Sequence, residues 1–207
     1  MNTTTTNQER AAKNELRVLR AIGYIGWLSA TQIATWVWGT DNAHSARVSA
    51  DKILKRLLAA GHVKRRESSL RMFVYILTKS GAIRANEGMS EELFRHGYDL
   101  SQLDSARQRP AVDYLIAQAH EGKVVMGIAA IRKGLEIGFF EGIKVDGIDG
   151  FVFDPETQSS KYVLLVRNTH PELIKKAKRL QREVGRKDLV FIGSPALVAF
   201  FEKEMRN

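Results

Sequence analysis

Residues 45–81, "SARVSADKILKRLLAAGHVKRRESSLRMFVYILTKSG", constrain this chain more than any other stretch. Ala50, Ile53, Leu54, Leu57 and Leu58 recur at helical spacing, and Gly61 follows as a stop, which predicts a helix over residues 45–60. Two runs of strand-forming residues come next, 62–67 and 71–77, with "SSL" between them as a tight turn. A two-stranded ribbon of this length is marginal by itself, so it has to pack against its neighbouring helices. Thr78 then opens a further short helix over "TKSGAIRANEG".

The helix and the ribbon are both basic. Ser45, Arg47, Ser49, Lys52, Lys55 and Arg56 face away from the helix's apolar stripe. Lys64, Arg65, Arg66 and Arg71 lie on the ribbon, where neighbouring residues point to opposite faces. Residues 1–86 hold 14 Lys and Arg against 5 Asp and Glu, whereas residues 87–207 hold 18 of each. The whole net charge of +9 therefore belongs to the first part of the chain, and a polyanion is the partner expected for that part alone.

Upstream, residues 8–25 repeat apolar positions at helical spacing (Ala12, Leu16, Leu19, Ile22). In "WLSATQIATWVWG", Ser29 caps a second helix with Gln32 three residues on, and Gly39 ends it. Trp36 is assigned to the core of this region, and Trp38 is the aromatic left for a partner or dimer contact. Residues 1–7, rich in Thr and Asn, are expected to be disordered.

Three helices followed by a ribbon, carried by "SATQIATWVWG", "SARVSADKILKRLLAAGHVKRR" and "RMFVYILTKSGA", resemble the winged helix-turn-helix domains of bacterial regulators and plasmid proteins. The resemblance covers residues 8–86 and implies binding to double-stranded DNA, with the helix over 45–60 in the major groove and the ribbon over 62–77 as the wing. Ser45, Arg47 and Ser49, near the helix start, would reach bases or phosphates. Lys52, Lys55, Arg56 and the ribbon cations Lys64, Arg65, Arg66 and Arg71 would meet phosphate.

Residues 87–107 are acidic and then mixed in pattern, and read as a linker. Beyond them the pattern predicts a helix over 109–121 and strands over 124–131, 150–153 and 161–167. A helix from Pro171 to Val184, the buried strand "LVFIG" and a last helix from Ser194 complete the series. This αβββαβ order over residues 108–207 resembles the restriction-endonuclease-like, or PD-(D/E)XK, nuclease fold, and makes the chain α+β as a whole. Active members of that fold carry an acid at the head of the second core strand and an acid-x-Lys triplet on the third, which together hold Mg²⁺. Asp146 or Asp149 fits the first position, but Leu164, Leu165 and Val166 stand where the second acid is required, with Arg167 after them. Glu136, Glu141, Asp154 and Glu156 read as surface or turn carboxylates. The resemblance thus implies a degenerate domain that serves assembly, with no catalytic residues, no metal and no cofactor.

Other chemistry is thin. The chain has no cysteine, its five histidines (His44, His62, His96, His120, His170) show no metal-ligand spacing, and neither a phosphate-binding glycine loop nor a GxSxG motif occurs. No apolar run reaches the roughly 20 residues that span a bilayer, and nothing in the N-terminal sequence points to secretion, so a cytoplasmic protein is expected. The pairing of a winged helix with a degenerate nuclease-like domain resembles the plasmid replication-relaxation family. It implies a plasmid or mobile-element regulator, or a replication or mobilisation accessory factor, acting as a homodimer with a further protein partner open to the second domain. Two alternatives stand beside this one: a Mg²⁺-dependent nickase or nuclease using Asp146 or Asp149, and a protein-binding adaptor whose basic face meets an acidic partner.

Overall fold

A computed structural model of the chain describes residues 6–68, 72–90, 92–96, 105–137, 147–186 and 188–206. It is an α+β protein, with eight helices, a three-stranded antiparallel sheet and a four-stranded mixed sheet among the described residues. The chain divides into two units, Met1–Gln102 and Leu103–Asn207, so their boundary falls inside the stretch expected to link them.

The first unit begins with α1 (Asn7–Ile25), which opens on a capping box between Thr6 and Glu9. Thr6 and Asn7 therefore belong to the helix start rather than to the disorder expected over residues 1–7, of which residues 1–5 lie outside the described residues. A two-residue strand β1 (Leu28–Ser29), not foreseen in the sequence, leads into α2 (Ala30–Trp38). As expected, Ser29 caps α2, with Gln32 reaching back to it, and Gly39 follows the last residue. Then come α3 (Ala43–Ala59), β2 (Val63–Glu67), β3 (Phe73–Leu77) and α4 (Lys79–Asn86). The central strand β3 pairs antiparallel with both β1 and β2, and Ser68 N–H donates to the Met72 carbonyl at 2.8 Å where the ribbon turns. Arg71, assigned to the ribbon, lies outside the described residues.

Val18, Leu19 and Ile22 of α1, Ile33 of α2, Ile53, Leu54 and Leu57 of α3, and Val74 and Ile76 of β3 form the core. Two assignments change here. The buried tryptophan is Trp27, at 1% exposure, whereas Trp36 is only half-buried, with its ring parallel to Tyr24 at 6.3 Å. Leu58, placed on the apolar stripe of α3, is exposed, and Ala46 is buried in its stead. The reason is angular: the core of α3 centres between Ala46, Ala50 and Leu57, and Leu58 falls one step of about 100° beyond it.

The linker assignment over 87–107 also needs correction at its start. Leu93 and Phe94 are buried, and the Phe94 ring meets Tyr24 edge-on at 4.9 Å. It lies over Gly23, where a Cβ would fall 2.5 Å from it. Asn86 fixes the segment from both sides, its amide nitrogen donating to the Phe94 carbonyl at 3.1 Å and its amide oxygen accepting from the Phe94 N–H at 3.0 Å. Two apolar side chains with a backbone clamp are enough to hold this segment on α1.

The second unit runs α5 (Ser105–His120), β4 (Val124–Gly127), α6 (Ile128–Glu136), β5 (Gly150–Asp154), β6 (Ser159–Leu165), α7 (Pro171–Val184), β7 (Leu189–Ile192) and α8 (Pro195–Glu204). Its sheet has the order β4-β5-β6-β7, with the first two pairs antiparallel and β6 parallel to β7. The α7 crossover makes that last parallel pairing possible. Leu115 and Ile116 of α5, Val152, Val163 and Leu164 of the sheet, Ala177 and Leu180 of α7, and Phe201 of α8 are buried. The strand expected over 124–131 stops at Gly127 and becomes α6, because Ala129, Ala130, Ile131 and Gly134 bury one face at helical spacing. "LVFIG" proves to be an edge strand with Val190, Phe191 and Ile192 half-buried, rather than a buried one. As expected, Asp154 makes a turn, its carboxylate accepting from the Glu156 and Thr157 N–H groups.

Candidate nucleic-acid interface

α3 contacts α1, α2 and β2, so only one of its faces is open. Its buried residues Ala46, Ala50, Ile53, Leu54 and Leu57 centre on one direction. At about 100° per residue the opposite direction falls on Val48, flanked by His44, Lys52 and Lys55. All four are exposed. Lys52 and Lys55 have no ion-pair partner among the described residues. They are long, charged and aimed at solvent.

Arg47 and Arg56 sit roughly 80–100° to either side of that direction, on the flanks where neighbouring helices begin. Arg47 Nε donates to Asp51 Oδ2 at 3.0 Å, and its Nη1 donates to the Thr31 hydroxyl of α2 at 2.7 Å. Arg56 Nε lies 3.1 Å from Glu15 of α1, whose second oxygen is 3.9 Å from Arg84 of α4. Ser49 is half-buried on the Arg56 side, and Ser45 is exposed in the first turn, with its N–H donating to the Asn42 cap. Of the six residues assigned to this helix, Lys52, Lys55 and Ser45 occupy the open face, whereas Arg47, Arg56 and Ser49 border it.

On the ribbon, Lys64, Arg65 and Arg66 are exposed. Arg65 stands opposite Tyr75 in the register, and its guanidinium carbon lies 4.3 Å from the centre of the Phe73 ring. That contact presents the cation on an aromatic face and restricts its rotamers. Lys64 and Arg66, opposite Ile76 and Val74, belong to the other face. Phe73, 49% exposed, and Val48 are the two surface residues that the charge pattern missed, although a helical projection of α3 finds Val48 directly.

"LTKSG" forms the junction that sets the ribbon against α3. The Thr78 hydroxyl accepts from Gly81 N–H at 3.1 Å as the α4 cap and donates to the Gly61 carbonyl at 2.6 Å. Thr78 N–H donates to the His62 carbonyl at 3.0 Å. Gly81 is required by close approach, since a Cβ there would lie 1.8 Å from the same His62 oxygen.

In the second unit Asp149 immediately precedes β5. Its N–H donates to the Val163 carbonyl and its Oδ2 accepts from Leu165 N–H, both at 2.8 Å. Burial pushes its carboxyl up from the ordinary value, and the Leu165 N–H together with nearby Lys176 and Arg167 draws it part of the way back. Among the described residues Asp149 faces the two cations Lys176 and Arg167, and no cluster of three His, Asp or Glu side chains suited to a metal occurs. Asp146 and Glu141 lie outside those residues. Glu136, exposed on α6, lies 3.9 Å from Lys133. No helix among the described residues is long and apolar enough to cross a membrane. In comparison with known proteins, the chain matches no family model, and neither a curated protein nor a solved structure matches it significantly.

Proposed function

We propose that the chain binds double-stranded DNA through its first unit, with α3 in the major groove and the β2–β3 ribbon as a wing beside it. The observation that carries this reading is the placement of Lys52 and Lys55 on the open face of α3 while the acids Glu15 and Asp51 engage the flanking arginines. A helix with side chains, about 10–12 Å across, fits the major groove. The element order α1-α2-α3-β2-β3 and the strand order β1-β3-β2 support a winged helix, and the exposed Lys64, Arg65 and Arg66 support its wing.

For the second unit, the strand order β4-β5-β6-β7 and Asp149 at the head of β5 support a restriction-endonuclease-like domain. Leu164, Leu165 and Val166, where Leu165 N–H meets the Asp149 carboxylate, with Arg167 beyond them, support its having lost the second acid and serving assembly. The combination favours a regulator or accessory factor of the replication-relaxation type, working as a dimer.

The test is duplex binding across a series of salt concentrations. Lys52→Ala and Lys55→Ala should each reduce the slope of log affinity against log salt by about one. Unchanged slopes would remove α3 from the interface, and no duplex binding near physiological salt would leave the adaptor reading in its place. A nickase acting through Asp149 would convert supercoiled plasmid to open circles with Mg²⁺, and Asp149→Ala would abolish the conversion.

A further inference from the structure

An exposed β-branched apolar residue is an unusual choice for the centre of a face that carries lysines. Val48 is 38% exposed, points directly away from the core of α3, and lies one turn before Lys52 and about two turns before Lys55. It lies opposite the buried stripe of α3 and lowers helix propensity relative to alanine. Arg47 beside it would be the natural reader of a base edge, yet Asp51 and Thr31 already hold its guanidinium on the flank. The side chain that leads the helix into a groove is therefore apolar. In the major groove only thymine presents an apolar group, its C5-methyl.

We infer that Val48 is a specificity-determining residue that reads a thymine methyl, a role resting on the DNA-binding reading of α3. Lys52 and Lys55 anchor the helix on phosphates to either side, and Ser45, exposed in the first turn, lies on the same side of the helix. The sequence preference this creates is T over C at one position of each half-site, because cytosine lacks the methyl and reverses the neighbouring donor and acceptor.

The test uses the full chain and a duplex selected by it from a randomised library, with each thymine of the selected site replaced in turn by deoxyuridine. That replacement removes one methyl and leaves pairing and charge intact. At one position per half-site the wild type should bind about fourfold more weakly, the loss expected for one buried methyl-sized group. Val48→Ala should bind thymine and deoxyuridine duplexes equally, while Lys52→Ala should weaken both in the same proportion and keep the fourfold ratio. Specific binding with no deoxyuridine effect, or a Val48→Ala protein that keeps the ratio, would overturn the assignment and leave DNA binding standing. Failure to retain any duplex would overturn the DNA-binding reading, and this role with it. The variant's fold is not at issue, since Val48 is on the surface and alanine is the better helix former.

Discussion

Asp149 is held between burial, which opposes its charge, and a backbone donor with two cations, which favour it. Its carboxylate is held by Leu165 N–H, and its pKa is raised by burial against the pull of Lys176 and Arg167. A carboxyl whose folded pKa lies above the unfolded one favours folding most below the unfolded value, near 4, and loses that contribution as pH rises through the folded value. Ionised Asp149 therefore weakens the second unit at neutral pH. Asp149→Asn keeps an acceptor for Leu165 and removes the desolvated charge. Its stability relative to wild type should improve between about pH 4 and pH 7, read as the difference in urea midpoints at the two values. A difference that does not move with pH would mean that the two cations already compensate the burial. Asp149→Ala should lose stability at both pH values, by about 1–3 kcal/mol, because the Leu165 donor is left unsatisfied.

Between elements, the decisive contact is the Thr78 junction, where the end of α3, the start of β2 and the cap of α4 share two carbonyls. Gly81→Ala drives a methyl into the His62 backbone and should destabilise the first unit by at least about 2 kcal/mol. Thr78→Ala loses the cap and the bond to Gly61, about 1–2 kcal/mol. Both are measured by denaturant unfolding, and Gly81→Ala with wild-type stability would show that the ribbon can shift at little cost. Several helix starts were legible in the sequence from their caps: Ser29 with Gln32, Thr78, Pro171 after His170, and Ser194 all stand where expected, whereas the Thr6–Glu9 capping box and the Asn42 cap start α1 and α3 one and two residues earlier than expected. α6 was not legible, because Gly127 opens it with no side-chain cap and "VVMGIAAI" is apolar throughout, so neither the period of 2 nor that of 3.6 stands out. The same ambiguity hid the edge position of "LVFI", since burial from one side or two depends on pairing that a single strand does not encode. On α3 the charges were legible and their engagement was not. Arg47 and Arg56 are withdrawn by Thr31 and Glu15, residues 16 and 41 positions away in the chain, although Asp51 on the same face was within reach of a local reading.

At the scale of the whole molecule, the first 86 residues carry all of the net charge, and the acids of that region are partly engaged within it. The cations of the proposed interface whose positions are described are Lys52, Lys55, Lys64, Arg65 and Arg66. If each displaces one counterion, log affinity should fall with log salt at a slope of about −4 to −5 for one protomer. Two protomers on a palindromic site would double it to about −9, and their half-sites would be separated by one helical turn or a multiple of it. The second unit, Leu103–Asn207, holds 17 Lys and Arg against 14 Asp and Glu, and none of its cations is among the five counted here, so its contribution shows in stoichiometry instead. A slope near −9 with two chains per duplex supports assembly as a dimer on DNA. A slope near −4.5 with one chain per duplex would mean that the first unit binds singly and would remove dimerisation from the role proposed for the second. Slope and stoichiometry come from the same titrations, read by fluorescence anisotropy and by sedimentation of the complex. Because the slope counts charges and sedimentation counts chains, disagreement between them would mean that phosphates are contacted by residues beyond these five.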